Sequence, residues 1–256
     1  MTVALRTRTL FAAGGAVLVS VALTGCGADA SSAPVEHKSF PLSGKTLTIE
    51  SDNSTIELVP ADVKKVEVSR RVDGWVLVGS GPNASWSMKN DRLTLKLKCS
   101  GLVNNCEARH QIKVPRGVAV TVQDDNGSVT ASGFDTALKL RSDNGKVTVK
   151  DSSGALDLHS DNGQINGDAL SSRSISADSS NGQVRLSLAA VPDRVDSGSD
   201  NGSIRITLPK KPGVSYKVDA RSHNGRVRVS VPKNDASGHT VRAHSSNGEV
   251  TVRSAN

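Results

Sequence analysis

The sequence predicts an all-β protein that folds as a β-solenoid, in which short strands stack in successive coils of about 18–23 residues. Three regularities lead to this prediction. The first is a series of seven Asn-Gly pairs at nearly even spacing, Asn126-Gly127, Asn144-Gly145, Asn162-Gly163, Asn181-Gly182, Asn201-Gly202, Asn224-Gly225 and Asn247-Gly248. Successive pairs are 18, 18, 19, 20, 23 and 23 residues apart, and a near-constant period of this length is typical of stacked repeats.

The other two regularities are residue types that recur at fixed distances from each Asn. Three residues after it stands a β-branched residue, in turn Val129, Val147, Ile165, Val184, Ile204, Val227 and Val250. Six residues before it stands an aliphatic one, in turn Val120, Leu138, Leu156, Ile175, Val195, Val218 and Val241. Two residues before it stands Ser in six copies, with Asp124 in the remaining copy.

These columns indicate a strand, a turn and a second strand in every repeat, because apolar residues alternate on both sides of the pair. Asn and Gly enter left-handed backbone conformations most easily, so we expect them to mark the turn. Asn-Gly is also a strong β-hairpin signal, and a meander of antiparallel hairpins is the competing fold. Identical residues at identical offsets favour the solenoid, since stacked coils place them in ladders of Asn side chains.

The first 25 residues are expected to be a lipoprotein signal peptide. Arg6 and Arg8 precede an apolar run over 10–23, which is too short to span a bilayer. Leu23-Thr24-Gly25-Cys26 then resembles a bacterial lipobox, in which Cys26 would carry a diacylglyceryl group. An ordinary secretory signal with an incidental Cys is the alternative. We expect an exported protein, lipid-anchored to the outer face of the bacterial cytoplasmic membrane.

Residues 26–44 are rich in Ala, Ser, Gly and Pro and are predicted to form a flexible linker. The solenoid is predicted over 45–256, and it begins with a degenerate copy of the repeat at Ser51-Asp52-Asn53-Ser54. The region to about residue 105 is less regular and is expected to cap the stack. Trp75 and Trp86 lie in it; a buried capping core is the favoured interpretation, and a ligand platform is the alternative.

Cys99 and Cys106 remain once Cys26 is assigned to the lipid. In an exported chain, two Cys residues seven apart are expected to close a small disulfide loop. Free thiols or a metal site are the alternatives.

The repeat pattern becomes regular from His110, and here the sequence resembles the bacterial "putative adhesin" β-solenoid family, which is related to adhesin-head domains. The similarity lies in Val114-Pro115-Arg116-Gly117 before a strand, in the repeated Ser/Thr-x-Asn-Gly-x-Val/Ile phrase and in Leu208-Pro209 at a strand end. It covers about residues 45–256. The resemblance implies a single-stranded right-handed β-solenoid without established catalytic residues, and it connects some relatives with cell-envelope stress responses.

Positive charge is concentrated near the C-terminus of a chain whose net charge is +7. Ten Lys or Arg residues follow Ile204, against three acidic residues, and Arg226 and Arg228 are the candidate contacts for a polyanion. An anionic cell-wall polymer or a surface protein would be the partner; export argues against nucleic acid. The alternative is that these charges only keep the strand surfaces soluble.

No catalytic, metal or cofactor site is predicted. Asp125, Asp143, Asp161 and Asp200 could form a column that binds calcium, but other residues interrupt it, and Asp is a common turn residue. His159, His223 and His244 do not share one offset from the Asn. Motifs for nucleophilic, zinc-dependent or phosphate chemistry are missing from the sequence. A polysaccharide lyase would need clustered Asp residues beside a cleft, whereas these are spread over separate repeats.

Two functions are consistent with these features. The first is a membrane-anchored, non-catalytic binding or adhesion module for a cell-surface polymer or protein. The second is an envelope-stress accessory or sensor that interacts with a membrane partner.

Overall fold

The computed structural model describes residues 30–255, whose regular elements are all β-strands. The first five are β1 (Glu36–Phe40), β2 (Thr46–Ser51), β3 (Ser54–Ala61), β4 (Val66–Lys89) and β5 (Arg92–Pro115). The next eight are β6 (Ala119–Asp124), β7 (Val129–Ser132), β8 (Leu138–Ser142), β9 (Val147–Lys150), β10 (Leu156–Ser160), β11 (Ile165–Leu170), β12 (Ser174–Ser179) and β13 (Val184–Leu188). The last six are β14 (Arg194–Ser199), β15 (Ile204–Leu208), β16 (Lys217–Ser222), β17 (Val227–Ser230), β18 (Thr240–Ser245) and β19 (Val250–Ser254). Within 30–255 there is no helix long and apolar enough to cross a membrane.

The strands form two parallel stacks, because each coil contributes one strand before its Asn-Gly corner and one after it. The first stack runs β2–β6–β8–β10–β12–β14–β18–β16. The second runs β3–β7–β9–β11–β13–β15–β19–β17. Equivalent residues pair in register; Leu156, for example, lies between Leu138 and Ile175. The predicted β-solenoid is confirmed, and the hairpin meander is excluded because neighbouring strands in each stack are parallel.

The hydrophobic core lies between the two stacks. Strand residues alternate between buried and exposed, so both apolar columns predicted from the sequence point inward for most of the stack. Val129, Val147 and Ile165, for example, are fully buried. The outermost coil is the exception, since Val227 is 39% exposed there.

Glycine is required at the corners for space and not for a left-handed turn. None of the corner Asn and Gly residues has a φ angle in the left-handed region, so the expected left-handed conformation is wrong. A Cβ atom added to Gly163 would overlap the carbonyl oxygen of Gly145, and one added to Gly145 would overlap that of Gly127. The backbones of neighbouring coils therefore approach so closely at the corner that no side chain fits between them.

Ser and Asn side chains tie each corner to its neighbours. The backbone N–H of Gly145 donates to Oγ of Ser142 at 2.8 Å, and this hydroxyl donates at 3.0 Å to the Gly127 carbonyl of the adjacent coil. The Asn side chains form a continuous ladder, with amide-to-oxygen distances of 2.8–2.9 Å from Asn53 to Asn224. Because the ladder runs along the whole stack, it explains why Ser and Asn recur at fixed positions in each repeat.

The coils do not stack in the order of the chain. The last coil, β18–β19, lies between β14–β15 and β16–β17. Asn247 accordingly bonds to both Asn201 and Asn224. The coil β16–β17, which precedes β18–β19 in the chain, is thus the outermost one. The connection from β15 to β16 bypasses one level of the stack, and it holds the only Tyr of the chain, Tyr216, which is buried.

A long hairpin, β4–β5, covers the other end of the solenoid. Strand β5 pairs with β2 through residues 92–95 and with β3 through 108–115, while β4 pairs antiparallel with β5. Strand β1 adds to the outer edge of β4. The structure differs here from the predicted linker over 26–44, since Glu36–Phe40 is a paired strand that buries Phe40. Residues 1–29, with Arg6, Arg8 and Cys26, lie outside the described residues.

We predict that Gly163→Ala lowers the free energy of unfolding by about 3 kcal/mol or more, because the added methyl forces adjacent corners apart. Chemical denaturation measures this value. Gly238→Ala is the matched control, since nothing lies within 4 Å of its Cβ position. The control should leave stability unchanged or slightly raised. Equal stability of the two variants would contradict the proposed role of close contact.

A second prediction concerns Asp124, which stands where six other copies have Ser. Burial raises the pKa of its carboxyl to about 7, although hydrogen bonds from Ser51 and the Gly127 N–H oppose this shift. The unfolded chain ionises at lower pH, so wild-type stability should fall as the pH rises from about 4 to about 7. Asp124→Ser should therefore be more stable at pH 8, by on the order of 3 kcal/mol, with a smaller gain at pH 4. Denaturation at both pH values measures the difference, and a gain independent of pH would contradict it.

Candidate binding surface

Five arginines gather on the outer surface of the second stack near its C-terminal end. We call this surface the arginine face; it comprises Arg185, Arg205, Arg226, Arg228 and Arg253. Strand alternation turns the four arginines that lie in strands outward, since their strand neighbours point toward the core, and Arg226, just before β17, is also exposed. Arg185 and Arg205 are directly paired on β13 and β15, and Arg205 pairs with Thr251, which pairs with Arg228. One column thus carries three guanidinium groups across four coils.

The arginine face is poorly neutralised by the described part of the chain. Arg228 lies 3.1 Å from Glu249. Among the described residues, this is the only ion pair that an arginine of this face forms with an acidic residue. Arg185 instead donates to the side-chain oxygen of Gln183 at 2.8 Å, and Arg253 lies 3.3 Å from Thr207. Five positive charges against one negative charge leave a net charge of +4. Like charges on directly paired residues repel, so this surface is suited to an anionic ligand.

The outer surface of the first stack has a different charge pattern, because several of its acidic and basic side chains pair with each other. Lys139 lies 3.3 Å from Asp157, the residue paired with it on the adjacent coil. Further along, Asp196 contacts Arg194 and Arg242, and Asp219 contacts Arg221 and His244. The strong positive potential therefore belongs to the arginine face.

The three corner histidines line one groove of about 690 Å³ on the first stack. His159 and His244 occupy the same column, but Asp178 and Gly198 separate them, at levels about 4.8 Å apart. Partial desolvation within this groove raises the pKa of Asp178. In the described chain, no group of three or more His, Cys, Asp or Glu residues is placed to hold a metal ion, the corner Asp column included.

The cap contains buried polar residues that sequence reasoning missed. Arg70 and His110 are paired across β4 and β5, and both are more than nine-tenths buried. Burial, reinforced by the charge of Arg70, lowers the pKa of His110 to about 4, so this ring is neutral near pH 7. The guanidinium of Arg70 lies 4.1 Å from the ring centre of Trp86. These contacts place Trp86 in the capping core, as expected, and their role is to close the end of the solenoid.

The disulfide between Cys99 and Cys106 is present in β5. It links the two ends of a β5 segment that pairs with β4 but with neither β2 nor β3. Trp75 lies in the same region and is 41% exposed, so the expectation that both Trp residues belong to the buried cap is wrong for Trp75.

Of the predicted polyanion contacts, Arg226 and Arg228 lie on the arginine face, and the structure adds Arg185, Arg205 and Arg253. Arg185, Arg205 and Arg228 share an offset of four residues from their Asn. This shared offset is the signal that would have grouped them. The position of Arg253 beside Thr207 follows from the altered coil order, which the sequence does not reveal.

Comparison with solved structures shows the same fold in a "putative adhesin" from Bacteroides fragilis NCTC 9343. That structure has a TM-score of 0.50 and 13% sequence identity, over 87% of this chain and 97% of the other. A "putative adhesin" from Parabacteroides merdae ATCC 43184 gives a TM-score of 0.48 and 12% identity, over 87% and 96% of the two chains. Comparison with curated proteins gave no significant match.

The family model of Toastrack DUF4097 matches residues 43–253, nearly the whole solenoid with its cap. The chain therefore belongs to the Toastrack DUF4097 family.

Proposed function

We propose that this protein is a non-catalytic binding module of the bacterial cell surface, whose arginine face binds an anionic cell-wall polymer. The observation that carries the proposal is the net charge of +4 on a face where Arg185, Arg205 and Arg226 lack an acidic partner among the described residues. The structurally similar Bacteroides fragilis protein carries the description "putative adhesin", which supports a role in surface binding.

A polymer suits this surface better than a single small anion. The column from Arg185 to Arg228 crosses three steps between coils, or about 14 Å at 4.8 Å per step. A chain of regularly spaced phosphates or carboxylates can contact several guanidinium groups at once, and each additional contact raises the overall affinity. Teichoic acid has this chemistry, and an acidic glycan shares it.

We also propose that the chain is exported and held at the outer face of the cytoplasmic membrane through lipid on Cys26. The support is the order of its N-terminal features: Arg6 and Arg8, an apolar run, and Leu23-Thr24-Gly25-Cys26. The disulfide between Cys99 and Cys106 is consistent with an oxidising location outside the cytoplasm. Together, anchor and arginine face would join the membrane to the surrounding anionic polymer.

We predict that Arg205→Glu combined with Arg226→Glu weakens binding to purified teichoic acid by at least about tenfold at low salt. Wild-type affinity should also fall as salt is raised, because screening reduces attraction between charges. Isothermal titration calorimetry measures both effects. The control combines Lys64→Glu with Arg141→Glu, which changes the net charge equally at exposed positions away from the arginine face. Equal losses in both double variants would contradict site-specific binding.

Replacement of Cys26 tests the anchor separately. We expect Cys26→Ala to release the protein from the membrane fraction into the medium or the soluble envelope fraction, because the variant lacks the thiol that accepts lipid. Fractionation with immunodetection measures the distribution, and mass spectrometry of the wild type detects the lipid. Unchanged membrane retention of Cys26→Ala, without lipid on the wild type, would contradict the proposed anchor.

A further inference from the structure

The middle of the β4–β5 hairpin leaves the solenoid and presents apolar side chains to solvent. Between residues 96 and 107, β5 no longer pairs with β2 or β3 and is held only by β4. We call the exposed apolar residues of this part of β4 and β5 the apolar tip: Trp75, Leu77, Val78, Leu102 and Val103, which are 41%, 56%, 70%, 83% and 49% exposed. They form most of the large exposed hydrophobic residues in the described chain. Such a cluster marks an interaction surface.

The apolar tip carries no charge. Residues 74–88 of β4 and 99–106 of β5 contain no Asp, Glu, Lys or Arg, in a chain of which 22% is charged. Leu77 and Val103 are directly paired across the two strands, and the disulfide closes the β5 segment around Leu102 and Val103. An uncharged, braced apolar projection can enter a lipid surface without the large cost of burying charged groups.

The N-terminal segment of the structure leads toward this tip. Strand β1 is antiparallel to β4, so moving from Phe40 back to Glu36 follows β4 from Val66 toward Arg70 and the tip. Further back, the N–H of Ala30 donates to Glu107 at 3.4 Å, and Arg71 donates to the carbonyl of Ser31. The start of the described chain therefore lies at the base of the apolar tip.

Chain length places the expected lipid close to the same point. Cys26 is four residues before Ala30, which limits their separation to about 14 Å. Val103 is four residues from Glu107 along β5, so at most about 13 Å separates them. The lipidated Cys and the apolar tip can thus reach one membrane surface together.

We propose that the apolar tip inserts into the lipid surface beside the anchor and gives this protein a second contact with the membrane. The inference rests on lipidation of Cys26, which is part of the proposed function. Tethering raises the local concentration of the membrane surface, so a small apolar tip suffices. Two contacts would limit rotation of the solenoid about its anchor.

Trp75 reports directly on this insertion. The purified lipidated full chain is reconstituted into vesicles of phosphatidylcholine and phosphatidylglycerol with brominated acyl chains, which quench Trp fluorescence on contact. We expect the wild type to lose emission relative to vesicles of ordinary lipid. Trp75→Phe is the matched control; its remaining Trp, Trp86, packs against Arg70 in the cap, so its emission should not change. Val78→Asn with Leu102→Asn should abolish quenching while the chain still sediments with the vesicles.

The outcomes separate the tip from the anchor. Sedimentation with quenching of Trp75 supports both. Sedimentation without quenching overturns insertion of the tip and leaves the anchor intact. A chain without lipid that fails to sediment overturns both proposals. Trp75 can also be tested for protection from a water-soluble quencher. Protection in native membranes but not in lipid vesicles would identify a protein partner and overturn insertion into lipid.

Discussion

Close backbone contact at the glycine corners is the constraint on which the rest of the solenoid depends. Each corner carbonyl lies where the side chain of the next corner residue would be, so glycine alone fits between coils. The Ser hydroxyl then satisfies both the glycine N–H and the neighbouring carbonyl, which is essential for buried polar groups. The Asn ladder outside it repeats the same register. One tight contact thus fixes the relative position of all coils.

This fixed register determines what the outer surfaces can do. Since a shift of one residue would turn every side chain to the other side, strict pairing keeps apolar residues inside and aligns outward residues in columns. On the first stack, several side chains of opposite charge lie close enough to pair, as with Lys139 and Asp157. On the second stack, Arg185 meets Arg205 directly, and no acidic column compensates them. The arginine face is therefore a consequence of the ladder, although its residue types are not required by the fold.

The sequence predicted the coils better than their ends. Fixed offsets around Asn144 or Asn162 predict the inward Val and Ile columns because one rule applies to each coil. They do not reveal why glycine is required, since a left-handed turn and a close contact favour the same residue. The 23-residue spacings around Asn224 hinted at longer connections, but coil order depends on contacts between distant segments. The exposure of Trp75 and the strand at Glu36–Phe40 escaped prediction because aperiodic segments carry no repeat signal.

The proposed contact between the arginine face and an anionic polymer can be measured directly. Modification of arginines by phenylglyoxal, followed by mass spectrometry, measures this contact residue by residue. With teichoic acid present, we expect protection of Arg185, Arg205, Arg226, Arg228 and Arg253, while the exposed Arg141 on the first stack reacts as before. Equal protection of Arg141, or no protection of the five, would contradict it.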